Sequence, residues 1–244
     1  MASNPMHQFQ VYRIGPEISL GSTNLSFTNA SLFMTISAAT IIFFLFLGTK
    51  KKLLIPTKMQ LITEMSYTFI AKMINDTAGS SAKPFFPFIF TLFMFVLFCN
   101  MVGMLPYSFT VTSHIIVTFI LAAIVFIGVT IIGFIKHGIK YLELFVPKGV
   151  PFVLLPLIVV IEIISYLSRP VSLSVRLFAN MMAGHTMLKV FGGFVISLGL
   201  LGGWLPLSFS VALTGLEILV AFLQAYVFAI LTCIYLNDAL NLHH

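Results

Sequence analysis

The chain has 244 residues, of which 59% are hydrophobic and only 8% are charged. Soluble domains carry about 25% charged residues, so this composition, with a mean hydropathy of +1.07, excludes an ordinary soluble domain and predicts an integral membrane protein. The formal net charge of +6 does not require a nucleic-acid partner, because the basic residues concentrate in loops and act there as topology signals.

The backbone of a membrane segment has no water to bind, so apolar runs of this length favour helices over strands. The short alternating pattern of barrel strands is missing from the sequence. We therefore predict an all-α membrane protein with about five membrane-embedded helices and one amphipathic surface helix.

The first elements are a polar segment, a spanning helix and an amphipathic helix. Residues 1–30 are polar and lack a signal-peptide pattern, so we expect them outside the membrane. Residues 31–48 predict the first transmembrane helix, which ends before three consecutive lysines. Residues 57–76 place apolar side chains at helical spacing but interrupt them with charges. This pattern predicts a helix that lies on the membrane surface.

A transmembrane hairpin is predicted over 85–135, with an uncharged turn between its two helices. The next loop, 136–148, carries three lysines, and the earlier loop over 50–83 is basic as well. Because basic loops remain on the inner side, this alternation places the N-terminus outside and the C-terminal tail, 237–244, inside.

The last segment, 150–236, predicts two long helices joined by a neutral turn at 202–206. The roughly 30 residues after Pro170 would extend about 45 Å as a helix, whereas the hydrocarbon core is about 30 Å thick. We therefore expect a strongly tilted helical hairpin, with kinks at Pro156 and Pro170 as the alternative.

Arg176 lies in the middle of this apolar segment. An arginine near the bilayer centre costs about 2.5–3.5 kcal/mol on insertion scales, and its guanidinium stays protonated at physiological pH. It is therefore suited to act as a fixed electrostatic barrier and unsuited to shuttle protons. The alternatives are a snorkelling side chain, which long apolar flanks on both sides disfavour, and a structural ion pair.

The neighbours of Arg176 divide between two helix faces. Asn180 lies about 40° from the arginine around the helix, whereas His185 lies about 180° away. Small side chains beside the arginine occur at Ser172, Ala179 and Ala183. Small residues let another helix approach closely in lipid, and packing within the chain is an equally good explanation.

Further ionisable side chains interrupt the last apolar helices. Glu217 and Gln224 are seven residues apart, so they form one polar stripe on the final helix. Carboxyl and imidazole groups in membranes commonly line proton relays. The alternative for Glu217 is a structural pair with His185 that holds two helices together. Glu162, fourteen residues before Arg176, is a third candidate.

The sequence gives no support for an enzyme or a metal protein. The HExxH, GxSxG and Walker A patterns are missing, so we predict no catalytic residues, cofactor or metal site. Cys99 and Cys233 lie in apolar runs and show no metal-binding spacing. The main rival hypothesis is an independent ion channel or secondary transporter, although neither an inverted repeat nor a carbonyl-rich filter is visible.

The chain resembles subunit a of the F-type ATP synthase, the stator proton channel of the Fo sector, in its mitochondrial and alphaproteobacterial form. The resemblance covers nearly the whole chain and is carried by the segments PFFPFIF, LFCNMVGMLPYSFTVTSH, RPVSLSVRLFANMMAGH and LTGLEILVAFLQAYVFAILTCIYLNDALNLHH.

The resemblance implies that Arg176 faces a ring of c subunits, interacts with each passing ring carboxylate and blocks proton leakage between two half-channels. It implies an outward half-channel lined by Asn180, His185, Glu217 and Gln224. It implies an inward half-channel at Glu162. It implies ring contacts at Ser172, Ala179 and Ala183.

The resemblance also implies a role in ATP synthesis as a non-catalytic subunit. Its partners would be the c-ring, a b-type peripheral stalk, other Fo and F1 subunits and membrane lipids, in a mitochondrial or bacterial inner membrane. In one respect the chain differs from some members, which carry an acid at the position of His185 and a histidine at that of Glu217. This exchange indicates that the two side chains work as a unit. Arg169 matches a basic position that we interpret as structural or interfacial.

Overall fold

In the computed structural model, the described residues are 8–14, 19–20, 23–24, 26–50, 55–105, 108–146 and 154–241. The long elements are the helices α1 (Asn29–Thr49), α2 (Lys58–Ala78), α3 (Phe86–Gly103), α4 (Ile115–His137), α5 (Leu155–Gly202) and α6 (Trp204–Leu240). Short 3-10 helices lie over Ser80–Phe85, Val111–Ser113 and Gly138–Phe145.

Five helical segments of the described chain are long and apolar enough to cross a membrane, and α2 is not among them. The prediction of an all-α membrane protein with five such helices is therefore confirmed. The strand content of the described residues is one small antiparallel pair, β1 (Ser19–Leu20) with β2 (Thr23–Asn24). This pair precedes the first spanning helix.

The helix α1 begins two residues before the predicted span because its N-terminus is capped. The Thr28 side chain accepts a hydrogen bond from the backbone of Ser31, and the Ser31 hydroxyl accepts one from the backbone of Thr28. This reciprocal pair satisfies N–H groups that a helix start leaves unbonded.

The C-terminal half of α2 belongs to the protein core. Ile70 and Ile74 are almost fully buried, and the helix packs against α1, α3 and α6. Its N-terminal half leaves apolar side chains exposed, with Met65 at 62%. Packing therefore explains part of the apolar pattern from which a surface helix was predicted, and the position of α2 relative to the membrane remains a prediction. The helix ends at Gly79, whose φ of +70° favours glycine.

The hairpin of α5 and α6 differs in detail from the prediction. The helix α5 continues through Pro170, and the one residue inside it with non-helical backbone angles is Gly199, at φ +60°. The proline kinks that the sequence left as the alternative are therefore not supported, since Pro170 lies within continuous helix and Pro156 lies in the first turn, where proline is tolerated. The predicted turn at 202–206 also extends too far, because α5 ends at Gly202 and α6 already starts at Trp204.

The length of α5 still bears on its orientation. The 45 residues from Leu155 to Gly199 rise about 67 Å at 1.5 Å per residue. A hydrocarbon core of about 30 Å is too thin for a helix of that length to stand upright. The strong tilt therefore stays our prediction for the hairpin in a bilayer.

Candidate functional site

Arg176 lies on the exposed face of α5. Ser172, Ala179, Asn180 and Ala183 are exposed on the same helix. The opposite face is the packed one, where Leu173, Leu177 and Met181 are at most 3% exposed. The small side chains therefore do not pack within the described chain, which disfavours the intramolecular explanation of their spacing.

The Arg176 guanidinium has no hydrogen bond or ion pair among the residues that the structure describes. This finding disfavours the structural ion pair that the sequence left open, at least within the described chain. A permanent cation on an apolar, outward-facing surface needs a partner or water, because an isolated charge in lipid is costly.

His185 and Glu217 come together in the packed seam between α5 and α6. His185 Nδ1 lies 3.6 Å from Glu217 Oε1, and the two side chains are only 13% and 5% exposed. Gly184 makes this approach possible, since a Cβ there would lie 2.7 Å from Glu217 Oε1. Both carboxyl oxygens of Glu217 are buried without a hydrogen-bond partner in the described structure. The pair is thus buried and close, but not locked into a hydrogen-bonded ion pair.

The turn between α3 and α4 contacts this pair. Thr110 Oγ1 lies 2.9 Å from His185 Nε2, and the 3-10 helix over Val111–Ser113 packs against α5. The His185–Glu217 pair therefore lies at the end of the molecule where the uncharged turn is found.

Gln224 lies on the same buried face of α6 as Glu217, and it is 5% exposed. Two contacts fix the antiparallel register of the hairpin: Gly184 faces Glu217, and Arg169 binds Asp238. Interpolation between them places Gln224 close to the level of Ala179. The polar stripe on α6 therefore leads from the buried pair toward the level of Arg176.

Asn100 lies beside this stripe, on α3. It is fully buried, and its Nδ2 donates to the carbonyl of Ala221, which lies between Glu217 and Gln224. Its Oδ1 is buried without a partner in the described structure. The stripe is thus flanked by a further polar side chain.

Glu162 lies toward the other end of α5 and is partly exposed. It precedes Arg176 by fourteen residues, which is about 21 Å along a helix. Tyr166, one turn after Glu162, bonds Tyr141 of the 3-10 helix that follows α4. Glu162 is therefore near the basic loop end, with Arg176 between it and the His185–Glu217 pair. Asn180 stays on the exposed face with the arginine and makes no hydrogen bond to Glu217 or Gln224 in the described structure.

An ionic and aromatic cluster near the basic loop was not predicted from the sequence. Arg169 Nη1 donates to Asp238 Oδ2 at 3.0 Å, and its guanidinium lies over the rings of Tyr166 and Tyr235 at 5.4 Å and 5.0 Å. The three-residue spacing of Tyr235 and Asp238 on one helix face was the available signal. The structural interpretation of Arg169 agrees with this placement.

No group of three or more histidine, cysteine or acidic side chains suited to a metal ion is found in the part of the chain that the structure describes. The polar groups of the candidate site are the His185–Glu217 pair, amide side chains and the Arg176 guanidinium.

Together, the fold and this site define a helical membrane protein that combines a buried acid–base pair with an outward-facing arginine. The family model described as ATP synthase A chain matches residues 31–237, which is most of the chain. The chain belongs to this family.

Relatives match over the full length. The chain is 80% identical over 244 residues to the ATP synthase subunit a of Pelagibacter ubique (strain HTCC1062), with all of both chains covered. It is 60% identical to the ATP synthase subunit a of Chelativorans sp. (strain BNC1), again over all of both chains. It is 59% identical to that of Rhizobium leguminosarum bv. trifolii (strain WSM2304), over 99% of this chain and 98% of the relative.

Proposed function

We propose that the chain is the stator subunit of the Fo sector of an ATP synthase, and that it conducts protons to and from the carboxylates of a rotating c-ring through two offset half-channels. Proton flow through the half-channels turns the ring for ATP synthesis, and ATP hydrolysis in partner subunits drives the reverse flow. The chain itself contributes no catalytic residue for ATP chemistry.

The observation that carries this proposal is the position of Arg176. It is exposed and unpaired in the described structure, and it lies along α5 between Glu162 on one side and His185 on the other. A fixed positive charge repels a proton that would pass directly between the two sides. The same charge favours the ionised form of a ring carboxylate that comes close to it.

The outward half-channel is assigned to His185, Glu217, Gln224 and Asn180. Carboxyl and imidazole groups at 3.6 Å can pass a proton after a small rotation of either side chain, and the amide of Gln224 continues the polar stripe toward the arginine. Asn180, exposed beside Arg176, then lies where a proton would leave the stripe for the ring. The inward half-channel is assigned to Glu162.

The ring contact is assigned to the exposed small residues of α5, Ser172, Ala179 and Ala183. Side chains of this size let the backbone of a neighbouring helix come within close range of Arg176. A b-type peripheral stalk, other Fo and F1 subunits and membrane lipids cover other surfaces.

The side assignment follows from the loops. Basic loops lie inside. We therefore assign the N-terminal end of α1 and the α3–α4 turn to the outer side of a bacterial inner membrane, and the C-terminal end of α6 to its inner side. Single cysteines at Lys140 and Trp204 test this orientation, because an impermeant maleimide should label the first in inverted vesicles and the second in right-side-out vesicles. Labelling on the reverse sides contradicts it.

The experiment that tests the mechanism is Arg176→Ala in the complete ATP synthase. We expect ATP-driven proton pumping into inverted vesicles to be abolished while the complex still assembles. The substitution removes both the barrier to proton leakage and the cation that interacts with each ring carboxylate. The matched control is Val175→Ala, a truncation on the same exposed face, which should pump normally. Normal pumping by Arg176→Ala refutes the barrier.

Crosslinking tests the ring contact. A cysteine at Ala183 or Ser172 should form a disulfide with a cysteine on the outer helix of a c subunit, whereas a cysteine at the buried Leu177 should not. The background is low because the native Cys99 and Cys233 are at most 1% exposed. Crosslinks that form only within the chain would favour internal packing of this face.

A further inference from the structure

Thr110 connects the buried acid–base pair to the turn between α3 and α4. Its Oγ1 lies 2.9 Å from His185 Nε2, and the residue is 5% exposed. This is the only hydrogen bond of the His185 ring in the described part of the chain. The contact between His185 Nδ1 and Glu217, at 3.6 Å, is too long to be one. The bond with Thr110 therefore orients the imidazole.

A second bond of Thr110 determines the direction of the first. The Thr110 hydroxyl donates to the carbonyl oxygen of Gly103 at 3.2 Å. Because a hydroxyl has one hydrogen, its oxygen is then left to accept from His185 Nε2–H. A neutral imidazole with its hydrogen on Nε2 carries its lone pair on Nδ1, the nitrogen that faces Glu217.

We propose that Thr110 is a positioning residue for proton transfer, which holds His185 as the Nε2–H tautomer so that Nδ1 is the nitrogen that exchanges a proton with Glu217. In this step the O–H bond of the Glu217 carboxyl breaks and an N–H bond forms at Nδ1, giving a carboxylate and an imidazolium. The return step reverses both changes, and the Nε2 hydrogen does not move. This inference rests on the proposed function, since it gives the pair a direction within the outward half-channel.

Hydrogen bonds and burial within the α3–α4 turn restrict the position of Thr110. The Ser113 hydroxyl donates to the Thr110 carbonyl at 2.6 Å, and Val111 and Ser113 are at most 4% exposed. Just beyond the turn, the hydroxyls of Thr118 and Ser174 are 3.1 Å apart and join α4 to α5. Nε2 therefore meets an acceptor whose position is fixed relative to the helix that carries His185.

The charged and titratable surroundings of His185 are few in the described structure. Glu217 faces it from α6, and Lys189 acts on it from its own helix. The turn contributes hydroxyl groups and His114, whose ring stacks on Phe109 at 4.9 Å between centroids. His114 lies in the same turn as Thr110, so a change in the pH dependence of transport is assigned to the His185–Glu217 pair when Thr110→Val shows it and a control substitution elsewhere in that turn does not.

The test uses the complete ATP synthase in membranes, with passive proton flux measured against outer pH after removal of F1. We expect Thr110→Val to lower the flux about three- to tenfold at neutral pH, as one orienting hydrogen bond is lost. The midpoint of the profile should move to lower pH by about half a unit, because the imidazolium loses its acceptor. After the substitution the side-chain donor that remains near the Gly103 carbonyl is the Ser108 hydroxyl, which lies 2.8 Å from the Gly103 carbonyl oxygen and 2.7 Å from that of Leu105.

The matched control is Thr112→Val. The Thr112 hydroxyl lies in the same turn and is buried, but it has no hydrogen-bond partner in the described structure. Thr112→Val should therefore show the same dependence of proton flux on outer pH as the wild type. Thr110→Ser, which keeps the hydroxyl, should restore both flux and midpoint. If the valine variant fails to assemble, Thr110→Cys replaces it, because a thiol is a weak acceptor, and its midpoint should lie below that of Thr110→Ser.

The outcomes separate the two proposals. A wild-type midpoint in Thr110→Val or Thr110→Cys, together with severe loss of flux in Glu217→Gln, overturns the role of Thr110 and leaves the half-channel intact. Normal flux in Glu217→Gln overturns the outward half-channel itself. A midpoint that moves equally in Thr110→Val and Thr112→Val shows a general effect of the turn and overturns the specific hydrogen bond.

Discussion

The two ends of the α5–α6 hairpin hold their acidic side chains in opposite ways. Near the α3–α4 turn, Glu217 is 4% exposed, and neither carboxyl oxygen has a hydrogen-bond partner in the described structure. Near the basic loop, Asp238 accepts a hydrogen bond from Arg169 at 3.0 Å. That guanidinium is flanked in turn by two tyrosine rings.

Under the proposed function, this difference separates an acid that transfers protons, Glu217, from a structural acid, Asp238. A buried polar group without a partner costs free energy of folding, and the proposed role of Glu217 in proton transfer gives a reason for that cost. The Asp238 end is a clamp, which the end of α6 reinforces: Lys136 Nζ and the His137 ring both approach the Leu240 carbonyl, at 2.9 Å and 3.1 Å. Cations at a helix C-terminus complement its dipole.

The largest expected effect is that of Glu217→Gln on proton flux. Removal of the ionisable carboxyl should lower passive flux about a hundredfold, the usual size of an acid–base contribution, while the stability of the complex stays the same or rises. Passive flux through membranes stripped of F1 and the heat resistance of the solubilised complex are the two measurements.

Asp238→Asn is the counterpart at the other end, and it should show the opposite pattern, with reduced stability and flux that is retained per assembled complex. If both substitutions lowered stability alone, Glu217 would be a structural acid like Asp238, and the comparison would fail.

The second effect comes from Gly184→Ala, which crowds the pair without removing a functional group. The new Cβ would lie 2.7 Å from Glu217 Oε1, so the carboxyl has to move away from its present place beside His185. We expect passive flux to fall about tenfold, because small displacements of reacting groups cost rate steeply.

The matched control is Gly193→Ala on the same helix, where a Cβ meets nothing within 4 Å. It should keep full flux and slightly favour the helix, since alanine has the higher helix propensity. Equal flux in both variants would show that the position of the Glu217 carboxyl does not matter.

The third effect is on stability, at the clamp. Arg169→Leu removes the ion pair and both ring contacts and leaves Asp238 unpaired, which should destabilise the subunit by about 2 kcal/mol. The measurement is the temperature at which the solubilised complex releases this subunit. The double variant Arg169→Leu with Asp238→Leu should recover part of the loss, because no unpaired charge remains. A double variant worse than the single one contradicts the clamp.

Much of the fold could be predicted because the membrane makes long apolar runs unambiguous. The five spanning segments follow from run length alone, and the two faces of α5 follow from helical angles: Arg176 and Asn180 are exposed together, whereas His185 faces α6. The small residues beside the arginine were equally visible in the sequence, but only the structure shows that they do not pack against the residues it describes.

The remaining features depend on register, which one sequence does not encode locally. Thr110 precedes His185 by 75 positions and Asp238 follows Arg169 by 69, so neither pair is marked by spacing. The break in α5 at Gly199 was missed because proline is the stronger helix breaker on propensity, although Pro170 is accommodated within the helix.

The smallest expected effect concerns Tyr166, which extends the clamp to α4. Its hydroxyl lies 2.7 Å from that of Thr130 and 3.0 Å from that of Tyr141. Thr130 also donates to the Phe126 carbonyl, so Tyr166→Phe deprives chiefly the buried Tyr141 of a partner and should cost about 1 kcal/mol. Adding Tyr141→Phe should recover much of that loss, because an apolar pair leaves nothing unsatisfied. Release temperatures of the two single variants and the double variant measure this coupling, and strictly additive losses would show that the two tyrosines stabilise the loop end independently.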